Sequence, residues 1–196
     1  MTKILILGAH GRIACAATDL FLAEPRAKLT LYLRNAHRLR RHENLARVVE
    51  GDVLDFGALK AAMAGQDVVY ANLNGPLEQM ARNIVKAMVA TGVKRLIFVS
   101  SMGIYDEVPG QRYRSILDPY RDAAKVIEAS DLDYTILRPA WLNDRDEVDY
   151  GTTQKGQPFC NPGGVVSRKS VAHLIVQLAL NPSLDVRCSL GVHKAA

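Results

Sequence analysis

Apolar positions along this chain follow two alternating rhythms. Lys3 to Leu7 is short, aliphatic and without polar alternation, the pattern of a strand buried on both faces of a parallel sheet. Beyond Gly11, the apolar and small residues Ile13, Ala14, Ala17, Leu20 and Phe21 recur at helical spacing. Further strand-like runs occupy Leu29 to Leu33, Arg47 to Glu50, Asp67 to Ala71, Arg95 to Ser100 and Tyr134 to Leu137, and Cys188 to Val192 reads as an added edge strand. Helical patterns separate most of them, at Asp55 to Ala64, Pro76 to Gly92, Asp118 to Ser130 and Ser170 to Leu180. Asp55 and Pro76 supply start signals, while Gly65, Gly92 and Asn181-Pro182 supply stops. Strands alternating with helices imply parallel pairing through right-handed crossovers. The expected fold is α/β, one doubly wound Rossmann-like sheet flanked by helices on both faces. Ligands are then expected at the carboxyl ends of the strands. No repeat, linker or low-complexity segment breaks the pattern, so residues 1–196 read as a single domain.

Composition narrows the setting. No apolar run approaches the roughly 20 residues of a membrane span, and the first strand begins too early for a secretory leader. The three cysteines (Cys15, Cys160 and Cys188) are widely spaced, which points to a reduced, cytoplasmic protein without structural zinc or other metal. Cys15, beside Ala14 on the first helix, reads as an inert core thiol. The net charge of +5 is concentrated: Arg34, Arg38, Arg40, Arg41 and Arg47 face a single Glu43 between them. Such a cluster is a nucleic-acid patch, a solvated face or a phosphate site. No aromatic residue interleaves with it, which argues against a nucleic-acid partner.

The turn after the first strand reads Gly8-Ala9-His10-Gly11-Arg12-Ile13-Ala14, a Gly-x-x-Gly-x-x-Ala loop that opens a helix. Gly8 permits a tight turn, Gly11 lets a diphosphate approach the backbone at a positive helix end, and Ala14 keeps the helix close to the sheet. A plain strand–helix turn is the alternative, but the placement inside a βαβ unit favours dinucleotide binding. His10 either touches phosphate or is simply exposed. Arg34 and Asn35 end the second strand, where a site preferring NAD usually carries a carboxylate for the ribose. Arg34, with Arg38 four residues on and Arg12 in the loop, offers guanidinium forks to a 2′-phosphate instead, so the cofactor is expected to be NADP(H). Asp52 after the third strand either meets the adenine amino group, with Val53 on the adenine face, or caps the next turn. Asn72, Leu73 and Asn74 follow the fourth strand and wall the diphosphate and ribose.

Six stretches (GAHGRIA, LYLRNAHRL, GDVLD, VKRLIFVSSMGIYD, KVIEASDLDYTILRPAWL and VVSRKSVAHLI) together resemble the atypical branch of the short-chain dehydrogenase/reductase family. Within it the likeness is to the small NmrA-like proteins, which include flavin and biliverdin reductases. The resemblance implies NADP(H) in an extended pose, with the nicotinamide near Ser100, Ser101, Pro139, Ala140 and Trp141. Ser101 matches the serine that lies at the substrate in those reductases; the other reading is a turn serine capping backbone. The histidine those reductases carry on the following helix is Ala124 here. The wider family's Tyr-x-x-x-Lys pair is also missing. Tyr120 and Lys125 are five residues apart, about 140° around a helix, so they cannot share a face. Tyr120 falls roughly where that family's lysine would be, its hydroxyl facing the cofactor ribose or satisfied within the core. Lys125 reads as a surface lysine and Arg138 as half of a structural ion pair. The polar, turn-rich Asp144 to Gly164 falls where a substrate lid would.

These readings converge on an NADPH-dependent oxidoreductase that passes hydride to a flavin- or quinone-like small acceptor. Ser101 and Tyr120 are its candidate catalytic residues. A non-catalytic NADP(H)-sensing regulator is the alternative from another class, and a carbonyl reductase or isomerase is a third. A monomer or a homodimer fits equally.

Overall fold

Ile4, Leu5, Ile6 and Leu7 have no exposed surface, because the strand they form has neighbours on both edges and helices on both faces. The structure is a computed structural model that describes residues 1–39 and 46–195; the side chains of Arg38 and Leu39 are outside the described set. The expectations for Arg38, Arg40 and Arg41 therefore lie outside the described residues. Strands β1 (Thr2–Leu7), β2 (Ala27–Leu33), β3 (Arg47–Glu50), β4 (Val68–Ala71), β5 (Arg95–Val99) and β6 (Asp133–Pro139) run parallel. With β8 (Gly151–Gln154) and β10 (Cys188–His193) they form an eight-stranded sheet of order β3-β2-β1-β4-β5-β6-β10-β8. The order reverses between β1 and β4, which opens a crevice at their carboxyl ends.

Alternate side chains of each strand point to opposite faces and build two cores. Ile4, Ile6, Leu29 and Leu31 pack with α1 (Arg12–Leu22) and α5 (Arg168–Leu180) through Ala17, Phe21, Val171 and Ile175. Leu5, Leu7, Leu96 and Phe98 pack on the other face against α2 (Phe56–Met63), α3 (Leu77–Thr91) and α4 (Asp118–Glu128), through Leu59, Met80, Ile84 and Ile127. Each fully buried Leu, Ile, Val, Phe or Met side chain among these is worth about 1.5–3 kcal/mol over an exposed one. The capping signals hold. Asp55 accepts from the Ala58 N–H at 3.0 Å at the start of α2, and Gly92 closes α3 with φ +75°.

Two expectations need correction. Cys188–His193 is an interior strand, parallel to β6 on one side and antiparallel to β8 on the other, so the sheet is mixed at this edge. The stretch read as a lid is also built into the body of the protein. It supplies β8, and it lies between β7 (Trp141–Asn143) and β9 (Val165–Ser167), which pair in parallel as a separate two-stranded sheet. Phe159 in that stretch is buried against Gly191, where a Cβ would meet its ring at 2.5 Å. The sequence Gly-Thr-Thr-Gln lacks apolar alternation, so nothing local marks β8; it is formed by the open edge of β10. Among the described residues no helix is long and apolar enough to cross a membrane.

Arg138 joins this half of the sheet as the expected ion pair. Wholly buried on β6, it pairs with the nearly buried Glu107 and donates from Nε to Ser189 Oγ at 3.1 Å. Its Nη2 reaches the Ser189 carbonyl at 3.1 Å and the Thr153 carbonyl at 3.3 Å, which bridges β6, β10 and β8. Glu107 accepts in turn from the Gly103 and Tyr105 N–H groups at 3.0 and 2.9 Å. Burial opposes ionisation of Glu107, but these backbone N–H groups, its own and the Arg138 charge outweigh it and hold its carboxyl below the ordinary 4.5.

Removing one partner leaves the other charge buried. Glu107→Gln is expected to cost about 3 kcal/mol, read as a lower urea midpoint at unchanged slope. Because the folded pKa of Glu107 lies below its unfolded value of 4.5, its contribution is complete above that pH and is lost as pH falls towards the folded pKa. The gap between the two proteins in chemical denaturation should therefore narrow on acidification below about pH 4.5.

Candidate functional site

Gly8 leaves β1 with φ +75°, and a Cβ there would meet the Asn72 carbonyl oxygen at 2.2 Å. A Cβ on Gly11 would meet Asn72 Nδ2 at 2.0 Å. Gly8 is thus demanded by the Asn72 backbone, while Gly11 leaves room for the Asn72 side chain; Asn72 continues β4 with its N–H bonded to the Leu7 carbonyl at 3.0 Å. Sequence reading assigned Gly11 to diphosphate approach; the contact with Asn72 is a second, internal reason for it. The turn closes through the Gly11 N–H to the Gly8 carbonyl at 2.9 Å. Gly11 is also the N-cap of α1 and supplies no side-chain cap. The N–H groups of Arg12, Ile13 and Ala14 therefore face the crevice uncapped, the arrangement that receives a diphosphate.

Two cavities lie along the carboxyl ends of the strands and meet at Asn72 and Leu73. The first, of about 260 Å³, is lined by Gly8, His10, Gly11, Arg34, Asn35, Asp52, Val53 and Asn74 among the anticipated residues. His10, Arg34 and Asn35 are exposed at its rim. Asp52 realises its capping role, Oδ1 accepting from the Leu54 N–H at 2.9 Å, and it also lines the cavity. Tyr32 and Gly51 also line it, and sequence reading missed both as site residues. The Tyr32 hydroxyl donates to the Asp52 carbonyl at 3.0 Å, and a Cβ on Gly51 would collide with that hydroxyl at 2.3 Å. Burial, then the nearby Asp55 and Asp52 carboxylates, push the phenol up to about 12, so it remains a neutral donor. Asn83 on α3 fixes the same loop by donating to the Val53 and Leu54 carbonyls at 3.1 and 2.9 Å.

The second cavity, of about 430 Å³, brings together Ile13, Ser100, Ser101, Tyr120, Pro139 and Trp141 from four separate parts of the sequence. Ser100 Oγ is buried and has no hydrogen-bond partner among the described residues, an orphaned donor that a bound ligand would satisfy. Ser101 Oγ donates to the Met102 carbonyl at 3.3 Å, the turn-serine arrangement, while still lining the cavity. Tyr120, half-buried in the first turn of α4, faces the cavity. Lys125 bonds Asp122 at 2.9 Å and is exposed, so the two form no acid/base unit. Arg168 and Leu142 also line this cavity; both fall in stretches that carry the resemblance, but neither was expected as a site residue. Arg12 lines neither cavity; its guanidinium pairs with Asp144. Cys15 departs from expectation too. It is only half-buried, its thiol 3.6 Å from the Ala9 and His10 carbonyls beneath the glycine turn.

Residues 8–182 match the family described as NAD(P)H-binding, which takes in the glycine turn and both cavities. The chain belongs to that family. This NAD(P)H-binding protein is similar over 99% of its length to a Rossmann-fold NAD(P)-binding family protein from Shigella flexneri, with 43% identity, 94% of that chain covered and a TM-score of 0.88. A short-chain dehydrogenase/reductase from Veillonella parvula, solved in complex with NADP, shares 29% identity across 98% of this chain and 94% of its own, at a TM-score of 0.87. ChuY of Escherichia coli O157:H7, described as an anaerobilin reductase, is 25% identical over 98% of this chain and 97% of its own, at a TM-score of 0.85. A curated relative from Bacillus subtilis, named as an uncharacterized sugar epimerase, is 26% identical over 89% of this chain and 86% of its own. Both reductase and epimerase names thus occur among the relatives.

The two glycines should respond differently to substitution. Gly8→Ala places a side chain at positive φ against backbone and is expected to lower stability by about 2 kcal/mol, seen as a reduced melting temperature. Gly11→Ala collides only with the end of the Asn72 side chain. It should cost less stability and weaken NADPH binding, measured by calorimetry.

Proposed function

We propose that this chain is an NADPH-dependent reductase that delivers hydride to flavin- or quinone-like acceptors. The observation that carries the proposal is the joined pair of cavities. One has an uncapped helix end and an exposed guanidinium; the other has hydroxyls and an indole, with no tyrosine–lysine pair. In this reading the amino end of α1, with Gly8 and Gly11, would hold the diphosphate. Arg34 takes the 2′-phosphate, as its bidentate fork suits and as a carboxylate there would forbid. Bound NADPH supplies the hydride, as the nicotinamide cofactor does in such reductases. Ser100 and Ser101 hold the nicotinamide end and the acceptor, Tyr120 faces the ribose, and Trp141 flanks the acceptor ring. A conjugated ring spreads the incoming electron pair and takes its proton from solvent at this open cavity. Positioning therefore matters more than a strong acid.

The absent acid/base pair also favours a second reading, a regulator that binds NADP(H) without turnover. Incubation with NADPH and FMN, FAD or several quinones separates the two. Acceptor-dependent NADPH oxidation is expected, and none at all with tight cofactor binding would favour the regulator.

Arg34→Glu should weaken NADPH binding roughly tenfold to a hundredfold while leaving NADH within about twofold. An equal effect on both would remove Arg34 from the 2′-phosphate. Tyr120→Phe should lower kcat by less than about tenfold; a loss of a hundredfold or more would mark a general acid and move the reading to a carbonyl reductase.

A further inference from the structure

Arg168 is the one charged residue among the described residues that line the second cavity. It is the first residue of α5, and its side chain is 17% exposed. Ser167 just before it is wholly buried, accepts from the Ser170 N–H at 2.9 Å and donates to the Glu147 carbonyl at 2.6 Å. Ser167 also pairs with Asn143 between β9 and β7, so the backbone under Arg168 is fixed beside the strand that carries Trp141 and Leu142. The guanidinium makes one hydrogen bond among the described residues, from Nη1 to Asp144 Oδ1 at 2.8 Å. The partner is unlike the anchor. The Asp144 side chain is 57% exposed, lies outside any strand or helix, and divides its carboxylate between Arg168 and the exposed Arg12.

A cation held at the wall of a cavity by an exposed, shared carboxylate can serve as an oxyanion site with an internal occupant. Pairs this exposed contribute little, so an incoming anion can displace Asp144 at small cost, whereas the Arg168 fork stays in place. We propose that Arg168 selects acceptors bearing a carboxylate or phosphate, which takes the guanidinium from Asp144 while the conjugated ring lies against Trp141. The proposal rests on the reductase reading for the word acceptor, but its binding geometry is independent of turnover.

Trp141 is the one tryptophan of the chain and lines this cavity, so its fluorescence reports occupancy. With NADP⁺ saturating, FMN and riboflavin are titrated as a pair that differs by one phosphate. A carboxylated naphthoquinone and its uncharged parent form the matching carboxylate pair. At least one charged member is expected to bind about tenfold or more tightly than its neutral partner, and which pair shows it identifies the oxyanion. Arg168→Met should abolish that advantage with neutral binding unchanged, Arg168→Lys should retain part of it, and Asp144→Asn should strengthen the anion. No preference in either pair, no quenching by any of the four, or a preference that survives Arg168→Met overturns the proposal. NADPH oxidation is followed in parallel. Selective binding without turnover would refute the reductase reading alone, and turnover without selectivity would refute the Arg168 site alone.

Discussion

The close approach of the glycine turn to Asn72 is the constraint on which the candidate site depends. Any side chain at Gly8 or Gly11 would occupy the space of the Asn72 carbonyl or amide. Without one, the carboxyl ends of β1 and β4 lie side by side at the reversal of strand order, and α1 starts with its N–H groups towards the crevice. Asn72 and Leu73 then belong to both cavities, which join along one line. The glycines thus form the turn and also bring its two walls together.

Rigidity around that line comes from different physics on its two sides. Near β1 to β4 it is hydrophobic: alternate side chains of the central strands fill two helix-covered cores, and among the described residues no charged side chain is buried there. Beyond β5 it is polar. From β6, Arg138 satisfies carbonyls and a hydroxyl on two other strands, β10 and β8, and pairs with Glu107, whose carboxylate gathers the N–H groups of the loop after β5. That loop begins with Ser100 and Ser101. Arg121 holds its other side, donating to the Gly103 and Ile104 carbonyls and pairing with Asp106 and Asp118. The wall of the second cavity is therefore positioned by buried charge, where small strands and turns cannot supply enough apolar area.

The chemistry of the two cavities follows the same division. The first presents backbone donors and a guanidinium, groups that recognise phosphates and do no covalent work. The second presents an unpartnered serine hydroxyl, a half-buried tyrosine, an indole and Arg168, which orient a ring more readily than they move a proton. This fits hydride delivery to an acceptor that stabilises its own negative charge.

Much of this was legible in the residues themselves. Strands buried on both faces must be continuously apolar, and helices packed on them must carry a stripe, so β1 to β6 and α1 to α5 could be read to within a few residues. The glycine turn, Arg34 and the residues after β4 could be read as neighbours, and they do line one cavity, because a tight strand-to-helix turn admits few residue types and the ends of adjacent parallel strands converge. Other features had no local signal. Gly151–Gln154 is a strand because β10 offers it an unpaired edge. Tyr32 enters the site because Gly51 leaves room for its ring. Arg168 reaches the second cavity because β9 pairs with β7 and turns the start of α5 towards it. Periodicity and turn chemistry act between residues near in sequence, so the sequence by itself determined the elements and the glycine turn. Edge pairing and side-chain convergence act between residues far apart, so only the tertiary structure decided the edge of the sheet and the residues that surround the second cavity.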